Sequence, residues 1–363
     1  MATLILTAAG NYLGGPIGAA IGSIIGQKID QRLFAPKGRE GPRLGDLAVQ
    51  SSTYGAQIPK LFGRMRVAGT VIWAPDITEH RASQSSGKGQ PKTANYSYTA
   101  SFAVALSART IGRIGRIWAD GKLLRGAEGD FKVETGFRVH FGTEDQGIDP
   151  LIGAVEGAGA APAYRGMAYA MFENLQLGAY GNRIPSLSFE VIADEADVRL
   201  DAVIRAIAPA QVLADCPTLL AGFAASGDTA RAVLDVLAEG VPFYATEVDG
   251  ALVLREVTLD AGEVSAASLG AEAGEAGGPR LTRTRKAGAE APTALSIRHY
   301  DPARDYQPGV QRVWRGVDAR RELTLELPAS LSATAALALA ERQMATLSAG
   351  RVQAEISLPW RYL

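Results

Sequence analysis

Hydrophobic and polar positions alternate in three styles along this chain. From Ala2 to Gln27 no side chain is charged, and the first charge is Lys28. Within that run glycine recurs every fourth residue, at Gly10, Gly14, Gly18, Gly22 and Gly26. A polar linker, residues 36–43 (PKGREGPR), ends the run. Short apolar runs bounded by turn residues then predict strands at 67–73, 96–106, 137–141, 167–172 and 186–192. Asp120-Gly121 sits between residues 116–119 and 122–124 and predicts a tight hairpin, because Asp-Gly supplies the positive φ such a turn needs. Residues 81–92 lack apolar periodicity and read as a hairpin loop, while 149–155 read as a short helix opened by an acidic cap and Pro150.

After Asp194 helices join the pattern. Apolar residues at helical spacing predict helices over 198–207, 228–238 (capped by Asp228 and stopped by Gly240) and 332–347. Strands are expected at 243–248 and 251–257 around Asp249-Gly250, and at 295–300, 311–315, 323–327 and 352–358. Residues 270–292 are rich in Gly, Ala, Glu, Arg and Lys and read as a long exposed loop. The chain ends at Trp360-Arg361-Tyr362-Leu363 with no polar tail, which reads as a fragment or a domain completed by another chain.

The glycine run admits four readings. Six glycines, counting Gly15, each cost roughly 1 kcal/mol in a helix relative to alanine, so a lone helix in water is disfavoured. Pro16 splits the run and suits the first position of a helix over 16–33. A secretory signal is disfavoured by the missing basic start and the interrupted apolar core. A membrane anchor fits the length, roughly 27 Å against a ~30 Å hydrocarbon core, but not the glycine and proline content. The remaining two readings are taken together: a Gly/Ala-rich segment buried in the protein, and a small-residue helix packed on symmetry copies of itself.

Composition then limits the chemistry. The 363 residues suffice for two or three domains, and 37 basic against 38 acidic residues leave a net charge of −1, with no global field to hold nucleic acid. The single cysteine, Cys216, rules out an internal disulfide framework or a four-cysteine metal site, and reads as a buried small residue. His80, His140 and His299 lie far apart in sequence without metal-ligand spacing. Gly112-Arg113-Ile114-Gly115-Arg116 is basic and glycine-rich but lacks a phosphate-loop pattern. Glu144 and Asp145 are the best carboxylate pair, though a turn explains them more simply. The basic residues of 280–286 read as part of the solvated loop, with no aromatic interleaved for base stacking. No cofactor is implied.

A series of motifs carries a resemblance. They are Ser52-Thr53-Tyr54-Gly55-Ala56-Gln57-Ile58-Pro59-Lys60-Leu61-Phe62-Gly63-Arg64, residues 71–74 and 98–106, and Gly115-Arg116-Ile117-Trp118-Ala119-Asp120-Gly121. Gly142-Thr143-Glu144-Asp145-Gln146, Ala163-Tyr164-Arg165-Gly166, Phe172-Glu173-Asn174-Leu175 and Gly181-Asn182-Arg183-Ile184-Pro185 complete it. In this order and spacing the chain resembles the N-terminal region of the large baseplate or tail-tip hub ("megatron") proteins of siphophages and gene transfer agents. The Gly/Ala-rich start matches residues 4–34, and residues 195–363 match the following hub portion more loosely. The glycoside-hydrolase-like barrel of longer relatives, which needs ~250 residues, is missing, so wall-degrading activity is not carried over.

The resemblance implies a structural, trimeric hub that closes the distal end of a tail tube in the particle and opens to pass DNA. It would be assembled in the host cytoplasm. It further implies contact with the distal tail protein, the tape-measure protein and other baseplate proteins, with DNA only in transit and a host membrane as a further contact during ejection. The expected fold is α+β and β-rich, with sandwich or barrel-like hub domains after a Gly/Ala-rich helix. Its segments are 1–35, 44–194 and 195–363, and Gly10, Gly14, Gly18, Gly22 and Gly26 are expected to pack helices at the axis. Two alternatives stand beside it: a tail-tip wall-degrading enzyme, and a membrane-penetrating module acting through residues 4–33.

Overall fold

The computed structural model describes residues 57–84, 93–157, 159–257, 281–285, 292–315, 321–349 and 351–356, with Gly55, Ser265 and Leu269 besides. The glycine run at 10–26 lies outside the described residues. The first half of the described chain runs β1 (Lys60–Val67), β2 (Thr70–Trp73), β3 (Thr78–Gln84), β4 (Thr93–Ser107), β5 (Arg113–Ala119), β6 (Lys122–Arg125), β7 (Gly136–Phe141), α1 (Pro150–Glu156), β8 (Ala168–Gln176) and β9 (Leu187–Ile192). The second half begins β10 (Val198–Arg199), α2 (Leu200–Ile207), β11 (Val212–Asp215), β12 (Leu219–Leu220), β13 (Gly222–Ala225), α3 (Ala230–Gly240), β14 (Phe243–Val248) and β15 (Ala251–Glu256). It ends with β16 (Leu281–Arg285), β17 (Ala294–Asp301), β18 (Gln307–Trp314), β19 (Glu322–Ser330), α4 (Ala333–Ala349) and β20 (Val352–Ile356). The fold is α+β and strand-rich.

One sheet of eight strands organises it, in the order β18-β17-β19-β13-β1-β9-β5-β6. It draws on both halves of the chain. A second sheet places β4 between β2 and β8, with β7 outside β8 and β3 also paired to β4. Between the two sheets lies one core. Leu61, Met65 and Val67 of β1 meet Phe102 and Leu106 of β4, Phe172 of β8 and Phe189 of β9, and Phe102 stacks on Phe172 at 5.0 Å. On the other side of β1, Phe62 joins a second core with Val203 and Ile204 of α2, Leu237 of α3, Leu295 and Ile297 of β17, and Leu339 and Met344 of α4. A strand turns successive side chains to opposite faces, so Leu61 and Phe62 necessarily point into different cores. Full burial of each such side chain contributes roughly 1.5–3 kcal/mol.

Several local expectations hold for the reasons given. Asp120 and Gly121 both adopt positive φ (48° and 78°) between β5 and β6, as do Asp249 and Gly250 (51° and 76°) between β14 and β15. Asp149 caps α1 by accepting from the Leu151 N–H, with Pro150 next. Others are corrected. The continuous strand expected over 67–73 is broken at Gly69 (φ 57°), where a Cβ would press on Val104 and Ala105, so the chain turns from one sheet into the other. Residues 81–84, expected in a loop, extend β3 along β4. Thr229 rather than Asp228 caps α3, its hydroxyl accepting from the Ala232 N–H at 3.2 Å, and Gly240 is the last helical residue rather than a stop beyond it. Residues 281–285, expected in the 270–292 loop, form β16 against β20.

Candidate functional site

The two cores meet at β1. Residues 60–63 of that strand pair with β13 and residues 64–67 with β9, so it changes partner between Gly63 and Arg64. Gly63 makes the switch with φ 60°, and any Cβ there would overlap the Ala221 carbonyl. Across from it a Cβ on Gly222 would overlap the Arg64 carbonyl. Only glycine allows this close approach of two backbones. The Gly63 N–H donates to Asp194 Oδ2 (2.9 Å), and the Gly63 carbonyl accepts from the Ala193 N–H (2.8 Å). Arg109 then clamps Asp194 with two parallel bonds, Nη1 to Oδ2 at 2.8 Å and Nη2 to Oδ1 at 3.0 Å, while Nη1 also reaches the Leu61 carbonyl at 2.7 Å. Burial alone would raise the Asp194 carboxyl. The Arg109 guanidinium and the Gly63 N–H outweigh it and hold the group below the usual carboxylate range.

A second lock joins β5 and β9 to the turn after β17. Arg116 grips both oxygens of Glu190, Nε to Oε2 at 2.9 Å and Nη2 to Oε1 at 3.0 Å, and pairs with Asp305 as well. Tyr306 donates to Glu190 Oε1 at 3.0 Å. Arg66 stacks over Trp118 with its guanidinium carbon 3.9 Å from the ring centre. A third lock lies on the outer sheet. Fully buried Asp149 accepts from Arg138 Nε and Nη2 (2.9 and 3.0 Å), bonds His140 Nε2 (2.9 Å) and caps α1. Burial works to raise Asp149, but these bonds outweigh it and bring the carboxyl down to about 2. His140 in turn lies flat on Tyr169, ring centres 4.3 Å apart. Such bidentate, partly buried pairs fix geometry as well as energy.

The candidate chemistry does not converge. Among the described residues no three of His, Cys, Asp and Glu are grouped to hold a metal. His80 bonds Thr99 on the β3–β4 hairpin, His140 belongs to the Asp149 lock, and His299 is buried in β17. Cys216 is buried, as expected, and burial pushes its thiol up to about 11. Glu144 and Asp145 lie exposed in the turn before α1, where a hydrogen bond from Thr143 lowers Asp145. Gly115 and Arg116 belong to the Glu190 lock, so that glycine-rich stretch is strand rather than phosphate loop. A cleft of about 320 Å³ at the start of α3 has no carboxylate or histidine in its lining. Another, of about 450 Å³, includes Glu134 and Glu173, and Arg138 takes up Glu173 at 2.6 Å. No described helix is long and apolar enough to cross a membrane.

What the arrangement does is hold strands together. The family described as "Putative phage tail protein" matches residues 229–363, which carry α3, α4 and the strands between and after them. Over nearly its whole length the chain is also similar to a chain in the solved structure titled "Virion of native gene transfer agent (GTA) particle". There the identity is 29%, the TM-score 0.71, and the match covers 98% of this chain and 87% of that one. Both likenesses support a tail protein of the phage and gene-transfer-agent type. No match was found among curated proteins. For such a tail protein the three arginine locks are structural parts of a virion component. The sequence singled out Glu190 and Asp194 in no role, because their partners, Arg116 and Arg109, lie 74 and 85 residues away. The one local signal was a glycine, Gly63, inside a strand.

Proposed function

We propose that this tail protein is a baseplate or tail-tip hub, a homotrimer that closes the distal end of the tail tube and gates the passage of DNA. The observation that carries the reading is the likeness along 98% of the chain to a chain of a gene-transfer-agent virion. The geometry supports it. Arg109, Arg116 and Arg138 are all spent on internal carboxylates, so the body is built to stay rigid rather than to turn over a substrate. In this reading the role is structural rather than enzymatic. Around a threefold axis, contacts between unlike surfaces close into a ring.

In this reading residues 1–35 lie at or near the axis, with Gly10, Gly14, Gly18, Gly22 and Gly26 letting three helices approach closely. Residues 44–194 and 195–363 form the hub body. The distal tail protein and the tape-measure protein are its neighbours in the assembled particle. Imaging of purified particles tests the proposal: three copies around the distal tail opening are expected. A single copy, or copies placed elsewhere in the particle, would overturn it.

A further inference from the structure

One pair of strands stands apart from the two large sheets. Strands β16 and β20 pair with each other over five residues and, among the described residues, with no other strand. A two-stranded ribbon alone in water is marginal at best. Side chains alternate along it, so Leu281, Arg283 and Arg285 share one face with Val352, Ala354 and Ile356. The other face carries only Thr282, Thr284, Gln353 and Glu355. The first face is apolar and cationic, yet it stands in solvent: Leu281 is 49% exposed and its cross-strand partner Ile356 37%. Arg283 and Arg285 are exposed and have no ion pair among the described residues. Apolar side chains set beside unpaired arginines suit a protein surface with carboxylates next to an apolar strip. A nucleic-acid strand would call for aromatic stacking groups, and this face has none.

The same chain carries such a surface. Asp235 and Glu239 lie one turn apart on the exposed side of α3, beside the half-buried Leu234 and Val236. Burial raises the Glu239 carboxyl, and the negative charges of Glu326 and Asp235 raise it further. Asp235 meets Arg231 at 3.8 Å and Glu326 meets Arg298 at 3.2 Å, but Glu239 has no cation of its own among the described residues. A crowded carboxylate without a counter-ion is what an incoming guanidinium relieves.

We infer that the β16–β20 ribbon of one copy docks on the α3 face of a second copy, placing Arg283 and Arg285 against Asp235 and Glu239. The two surfaces differ, so the contact is head-to-tail, the kind that builds a ring where its rotation closes. The inference rests on the hub reading and names the contact that would build its ring.

The test uses assembled particles. Cys216 is fully buried, so introduced thiols report alone. Particles carrying both Arg285→Cys and Glu239→Cys, treated with a short thiol–thiol cross-linker, should yield covalent dimers and higher species on a denaturing gel, and either single variant should yield none. In parallel, R283E/R285E should lower incorporation into particles on the order of tenfold, and adding D235K/E239K to the same chain should restore it. The melting temperature of each purified variant checks that the chain still folds. Several copies per particle without cross-linking in the double variant overturn the inference while leaving the hub reading intact. Loss of incorporation that the second charge reversal fails to rescue also overturns it, since the ribbon would then meet a different protein. One copy per particle removes the hub reading itself.

Discussion

Arginines in this chain live in two kinds of place. At the strand junction Arg109 is held by both oxygens of Asp194, and Arg116 by both oxygens of Glu190. On the β16–β20 ribbon, Arg283 and Arg285 meet no carboxylate among the described residues. The charge is the same. The difference is that the junction arginines sit where a partly buried carboxylate would be costly without them, whereas the ribbon arginines face no such group among the described residues. The first kind contributes to the fold. The second is available to something outside it.

That contrast can be broken most sharply at the junction. Gly63→Ala adds a side chain at φ 60° against the Ala221 carbonyl, and should destabilise the protein by about 3 kcal/mol or more, read by denaturant unfolding. Asp149→Ala leaves Arg138 without its buried partner and α1 without its cap, and should cost about 3 kcal/mol in the same assay. Because the Asp149 carboxyl is lowered from 3.8 to about 2 on folding, its contribution is complete above about pH 4 and is lost as the pH falls through about 2. Asp149→Asn should flatten that acid limb.

His299 gives a smaller effect with its own pH window. Its ring is fully buried, neither ring nitrogen makes a well-formed hydrogen bond among the described residues, and Gly309 faces it so closely that a Cβ there would stand 2.9 Å from the imidazole. Burial lowers its pKa below 6.5, since the charged form is disfavoured inside the sheet, although the Ile297 backbone and, less strongly, Asp301 oppose this. Stability is therefore complete above about pH 6.5 and declines as the pH falls below it. Melting temperatures between pH 7 and 5 should fall for the parent protein and hold steadier for His299→Leu. At the ribbon, Arg283→Ala with Arg285→Ala should change stability by no more than about 0.5 kcal/mol, because both are exposed and make no ion pair among the described residues. A large loss there would erase the distinction between the two kinds of arginine.

The sequence showed the elements better than it showed how they are joined. The β5–β6 and β14–β15 hairpins were legible because Asp-Gly dictates the turn, and α1 because Asp149 and Pro150 specify its start. Ribbon strand β16 was hidden. LTRTR has only one apolar residue in five, and its pairing with 352–356 spans some seventy positions that no local pattern reports. The 67–73 run reads as one strand because its residues are mostly apolar and β-branched, whereas the positive φ of Gly69 turns the chain into another sheet. The junction itself was illegible except for Gly63, since partner switching by β1 is a property of two cores at once. The candidate carboxylates, Glu144 and Asp145, were visible because they are adjacent. The pairs that hold the fold together were not, because they are distant in sequence.

The central claim is that this tail protein forms a ring at the distal end of a tail. A cryo-electron-microscopy reconstruction of the purified particle's tail tip, with the chain located by its eight-stranded sheet, tests it most directly. The account predicts three copies around the tube axis, with residues 1–35 near that axis. A single copy off the axis, or copies along the tube away from its end, would contradict it.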